Sequence, residues 1–152
     1  MSYGEHVAFT QRVIVVGPTC SRGGITSVIS AHSKMDTWKR FGCRRLNTFT
    51  DSGLLAKLTT AARAYLSAPG LLLGCSIVHI HIGGYTSMAR KLPVLILAKL
   101  MAKCTVVHVH TPSIAELVDH RPNWLFPLTC QLADRLVALS PRWARELRAA
   151  GA

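Results

Sequence analysis

Two short patterns carry most of the chemistry that this sequence offers: His79-Ile-His81 and His108-Val-His110. On an extended strand side chains alternate faces, so both imidazoles of a pair project the same way. Four histidines on two neighbouring strands could bind a metal. The carboxylates that a hydrolytic metal centre usually adds are scarce, Glu116 and Asp119 being the nearest, and the one further histidine close by is His120. His79 and His108 fall mid-strand and are therefore expected to be satisfied core histidines, with no metal bound. His81 and His110 fall at strand ends, where a polar functional role is open. The second pattern is the loop Gly17-Pro-Thr-Cys-Ser-Arg-Gly23-Gly24-Ile25. Glycines after a first strand let backbone N–H groups and a helix N-terminus approach a phosphate. The loop is neither G-x-G-x-x-G nor a Gly-Lys-Ser/Thr phosphate loop, and by itself it equally suits a turn that opens a helix. Asp51 follows the second strand, where a dinucleotide fold keeps a ribose-binding acid. Without the glycine fingerprint it reads as a loop residue.

These residues need a scaffold, and the hydrophobic pattern supplies one. Short β-branched runs at 12–17, 45–50, 76–82, 105–110 and 135–140 read as strands. Helical patterns fall between them. The first covers 24–36, and the second is capped by Ser52 and stopped by Pro69-Gly70. The third is capped by Thr86 or Ser87 and runs to Lys103. A short helix is capped by Ser113 with Glu116 in a capping box, another helix covers 122–133, and a last one covers 142–150 with Pro141 at its first position and Gly151 beyond its end. Strands alternating with helices imply parallel βαβ units, hence an α/β, doubly wound parallel sheet with its ligands at the strand C-terminal ends.

The composition narrows the partners. The chain has 152 residues, enough for one domain and too few for two of ordinary size. Lys and Arg exceed Asp and Glu by 18 to 7, a formal charge of +11, which favours an anionic partner. Nucleic acid is not expected, because the basic residues are scattered and not interleaved with aromatics. The five cysteines are odd in number and include no C-x-x-C pair, which argues against a zinc ribbon or a disulfide framework and suits a reducing cytosol. Residues 1–11 carry no secretory signal, and the apolar stretch 92–102 is too short to span a bilayer. A cytoplasmic location is expected. The helix over 90–103, with Arg90, Lys91, Lys99 and Lys103, is expected to pack on the sheet with a solvated basic edge, although an anionic membrane surface is a further partner it suits. No G-x-S-x-G elbow and no glycosidase-like carboxylate pair is present.

In order and spacing, these pieces resemble the N-terminal domain of retaining GT-B glycosyltransferases of family four. The resemblance rests on Val16 to Ile25 with its Gly23-Gly24 pair, Ile77-Val-His-Ile-His81, Val106-Val-His-Val-His110-Thr111, and Ala133-Asp-Arg-Leu-Val-Ala-Leu-Ser140 followed by a helix ending at Gly151. It implies that the chain is the Rossmann-like N-terminal half of a GT-B fold. The implied activity is transfer of a sugar from a nucleotide diphosphate sugar to an acceptor hydroxyl, with no cofactor or metal. The resemblance gives His110 contact with the transferred sugar and sets Gly23 and Gly24 near the donor diphosphate. Arg22, His81, Tyr85 and Thr111 become acceptor-side candidates. It also implies a C-terminal donor-binding domain with a glutamate pair that 1–152 does not contain, so the chain alone is expected to be inactive. Two other readings stay open: a metal-dependent hydrolase using the His-x-His strands, and a non-catalytic module binding an anionic ligand.

Overall fold

The computed structural model describes residues 12–111, 113–119 and 124–152. The expected start of a helix at Pro122, and His120, lie outside them. Five strands form one all-parallel sheet in the order β2-β1-β3-β4-β5: β1 Val13–Gly17, β2 Arg44–Asn47, β3 Ile77–Ile82, β4 Cys104–Val109 and β5 Arg135–Ala138. The helices are α1 Gly24–His32, α2 Asp36–Arg40, α3 Leu54–Leu73, α4 Tyr85–Leu100, α5 Ala115–Val118, α6 Leu125–Leu132 and α7 Pro141–Ala149. This is the α/β, Rossmann-like doubly wound architecture. The chain leaves β1 leftward to β2 and later returns to β3 on the other side of β1. That reversal opens a crevice at the C-terminal ends of β1 and β3.

The two sheet faces differ in kind. Ile14, Val16, Val78, Ile80, Val107 and Val109 point into the main core, where they meet Ala64, Ala68 and Leu72 of α3, Leu92 and Leu95 of α4, and Phe126 of α6. Residues of the opposite parity carry the four strand histidines to the other face, where α1 lies. There Gly17 is required by close approach. A Cβ at this position would stand 2.6 Å from Cδ1 of Ile29 and 3.7 Å from Cβ of His81.

Several helix boundaries depart from expectation. Pro69 does not stop α3 but sits inside it. Ala64, Ala68 and Leu72 recur on one buried side, and their packing outweighs the proline. Pro69 and Tyr65 lie on the exposed side, so the Tyr65 carbonyl that loses its helical partner faces water. Ser52, Thr86, Ser87 and Ser113 do not cap. Glycines 53 and 84 occupy the N-cap of α3 and α4, Ile114 that of α5, and none of the three has a side-chain cap. Ser113 instead exchanges hydrogen bonds with the Thr111 hydroxyl. At α7 the reading holds. Ser140 Oγ accepts from Trp143 N–H at 3.2 Å, Pro141 is the first residue, and Gly151 beyond the end has φ 94°.

Replacing Gly17 by Ala is expected to destabilise the fold by about 1–3 kcal/mol through overpacking. Pairing Gly17→Ala with Ile29→Val, which deletes the clashing Cδ1, should cost less than the sum of the two single changes. Urea unfolding of the four proteins measures this; strict additivity would show that α1 does not press on Gly17.

Candidate functional site

The loop after β1 is held by the tail of β2. Asn47 Oδ1 accepts from Thr19 N–H at 3.1 Å and from Phe49 N–H at 3.3 Å, while Asp51 Oδ2 accepts from Arg22 N–H. Asp51, expected to be a plain loop residue, is thus the anchor that shapes the glycine loop. Gly23 adopts φ 146°, a conformation that side chains rarely allow, and it is the N-cap of α1 without any side-chain cap bond. Gly84 ends the approach to α4 in the same uncapped way. Two helix N-termini therefore open toward the crevice with first-turn N–H groups not taken by a capping side chain.

Between them lies a cavity of about 490 Å³. Its walls include Gly23, Gly24, Phe49, Ser87, Leu139 and His110, with three cationic side chains, Arg22, Arg90 and Lys91, and no Asp or Glu among the described residues. Lys91 was expected on a solvated basic edge, and the structure corrects this: it is 1% exposed. It falls on the stripe Met88, Lys91, Leu92, Leu95, the i, i+3, i+4, i+7 set that faces the sheet. Its ammonium donates to Ser87 Oγ at 2.6 Å. Burial, aided by the neighbouring Arg90, pushes its pKa down to about 7. Arg90 stacks over the Phe49 ring at 4.4 Å, and its Nε is buried without a hydrogen-bond partner. A buried cation without a counter-charge is costly. Three cations converging on one cavity are what an anion would repay.

Behind the cavity the histidines form a ladder. β3 and β4 pair with His81 beside His108, so the period of two brings His79, His81, His108 and His110 onto one face. Neighbouring rings are 4.1–5.6 Å apart between centroids. His81 Nδ1 and His110 Nε2 share a hydrogen bond of 2.8 Å. Burial first, with His32 of α1, lowers all four pKa values; the other ladder histidines add to this at His79, His81 and His110, and Lys91 adds at His110, so that His79 and His110 reach about 4. His79 and His108 are not the satisfied core residues expected. Nε2 of His79 and Nδ1 of His108 are buried without a partner, as is Nε2 of His81.

Of the residues singled out from sequence, Arg22, Gly23, Gly24 and His110 line the cavity together. His81 is fully buried and reaches it only through His110. Tyr85 packs against the main core and Thr111 is buried against Ser113, so neither faces the cavity. Lys91, Arg90 and Phe49 were missed; the signal was the position of Lys91 on the apolar stripe of α4. Compared with known proteins, the chain matches no family model and no curated sequence.

The histidine ladder fixes a pH dependence. An unfolded imidazole titrates near about 6.5, and the folded ones titrate lower, so between these values the unfolded chain binds more protons. The contribution of the ladder is complete above about pH 6.5 and lost as pH falls toward about 4. Urea unfolding from about pH 7.5 down to about pH 4.5 should show stability falling by up to about 1.4 kcal/mol per pH unit for each such histidine. A flat profile would mean that the ladder is not held neutral.

Proposed function

We propose that the chain is the acceptor-side, Rossmann-like half of a retaining glycosyltransferase, moving a sugar from a nucleotide diphosphate sugar to an acceptor hydroxyl. The observation that carries this reading is the cavity at the β1/β3 crevice, free of acids among the described residues, with Lys91, Arg90 and Arg22 converging beside two uncapped helix N-termini. That is an environment for a diphosphate. Departure of a nucleoside diphosphate builds negative charge, and fixed cations and N–H dipoles stabilise it as it develops. Ser87 holds the Lys91 ammonium, and Asn47 and Asp51 hold the glycine loop, so these groups are oriented before a ligand arrives. His110, at the cavity wall with one ring nitrogen engaged by His81, is the group available to the transferred sugar. A stand-alone anion-binding module would use the same cavity. It differs in one outcome: adding a donor-binding domain in trans would yield no sugar transfer.

The working surface of this protein, in the same proposal, is an anionic bilayer, contacted by α3 rather than by the helix over 90–103. α4 turns Met88, Leu92, Val94 and Leu95 inward and exposes only Ile96 and Leu100 near its end, whereas Leu55, Leu58, Leu66 and Leu73 of α3 are exposed along the helix on a chain of net charge +11. None of the helices among the described residues is long and apolar enough to cross a membrane, so the contact would be peripheral. Sedimentation with anionic vesicles should exceed that with neutral vesicles and drop on Leu55→Ser/Leu58→Ser/Leu66→Ser; equal sedimentation with both lipids would refute it.

Calorimetric titration with nucleoside diphosphates and inorganic diphosphate tests the cavity. Lys91→Met removes one charged hydrogen bond and should weaken binding by about 10–100-fold. The same change should raise stability, since an apolar side chain replaces an unpaired buried cation. Lys91 must be protonated to bind an anion, so affinity should fall as pH rises above about 7. Diphosphate binding that is absent, or indifferent to Lys91→Met, would rule the reading out.

A further inference from the structure

We propose that His79, His81 and His108 form an all-nitrogen binding site for a divalent transition metal of the zinc class, with His110 orienting His81 from behind. Three independent observations converge on these residues. The pairing of β3 with β4 sets His108 beside His81, and the strand period sets His79 on the same face. One nitrogen from each of the three rings lies within 4.8 Å of the others. Among the described residues, the three imidazole nitrogens buried without any hydrogen-bond partner belong to these same residues: His79 Nε2, His81 Nε2 and His108 Nδ1. A buried polar atom without a partner is costly, and a metal ion would satisfy all three lone pairs at once.

The geometry is within reach of coordination. A tetrahedral ion with Zn–N bonds of about 2.0 Å sets its ligand nitrogens about 3.3 Å apart. The nitrogens, within 4.8 Å of one another, would have to close to that spacing on binding. Burial first, with His32 nearby, holds the rings neutral, so their lone pairs need no proton displaced near neutral pH. The group contains only imidazole nitrogens, which select Zn²⁺, Cu²⁺, Ni²⁺ or Co²⁺ over the oxygen-seeking Mg²⁺ and Ca²⁺. Three protein ligands leave a fourth position for water.

The hydrogen bond between His81 and His110 then acquires a direction. With Nε2 of His81 on the metal, its proton must sit on Nδ1, and that N–H donates to Nε2 of His110. Neutral His110 is left with its own proton on Nδ1. A metal here would therefore choose the tautomer of the one histidine of the ladder that lines the cavity. The metal site itself does not depend on the glycosyl-transfer reading.

Chelator-treated protein titrated with Zn²⁺, and separately with Co²⁺, tests the site. One ion per chain is expected, with a visible Co²⁺ band of tetrahedral nitrogen ligation, and no competition from Mg²⁺. His79→Ala, His81→Ala and His108→Ala should each weaken binding by more than about 100-fold, and His110→Ala, which removes only the orienting partner, by about 10–100-fold. Far-ultraviolet circular dichroism of the metal-free variants checks that they fold. Should they not, nitrogen NMR of the wild-type histidines decides: Zn²⁺ should shift the His79, His81 and His108 resonances and leave His110 Nε2 unprotonated. Absence of stoichiometric Zn²⁺ uptake overturns the proposal. So does binding that survives His79→Ala and His108→Ala, or NMR shifts confined to other histidines.

Discussion

The register between β3 and β4 is the constraint from which the rest follows. His81 lies beside His108, and the period of two then sends Val78, Ile80, Ile82, Val107 and Val109 to one side and the histidines to the other. A slip by one residue would bury the imidazoles in the aliphatic core and expose the valines and isoleucines. The register is therefore strongly specified by burial, and it carries His110 to the mouth of the crevice without any further device. On the aliphatic side α3, α4 and α6 pack conventionally. On the imidazole side α1 can approach only because Gly17 has no side chain.

The site built on this frame contains more positive charge than folding alone would favour. Lys91 occupies a core position where Leu or Met would be more stable, and Arg90 buries a guanidinium nitrogen without a partner. Ser87 satisfies only part of the ammonium. Such a concentration of cations, with no acid among the described residues lining the cavity, is a cost in the free protein that an anionic ligand would remove.

The sequence revealed the sheet well because each strand is a compact β-branched run and the connections between them show a helical period. It revealed half of the site for the same reason: residues at strand ends and in the glycine loop, such as His110, Arg22, Gly23 and Gly24, are located once the strands are. Features decided by tertiary packing were hidden. Pro69 looked like a stop because propensity is local, while the Ala64, Ala68 and Leu72 contacts that override it are not. Serines near helix starts looked like caps although glycines hold those positions. Lys91 looked solvated because a charged residue usually is, yet its place on the stripe with Met88, Leu92 and Leu95 already pointed inward. His79 and His108 looked like satisfied core residues because no sequence pattern shows which ring nitrogens will find partners.

The two side-chain tethers from the tail of β2 bear on how fast and how selectively the crevice can capture a ligand. Asn47 and Asp51 fasten the glycine loop at Thr19 and Arg22, near either end of its span. A loop pinned at two backbone N–H groups has already surrendered most of its freedom in folding. An incoming anion would then meet a receptor of set shape, with little ordering entropy set against its affinity. The same rigidity makes the edge strand β2 a mechanical stay for the site: loosening that edge would release the Arg22 backbone from Asp51 and the Arg90 guanidinium from Phe49 together.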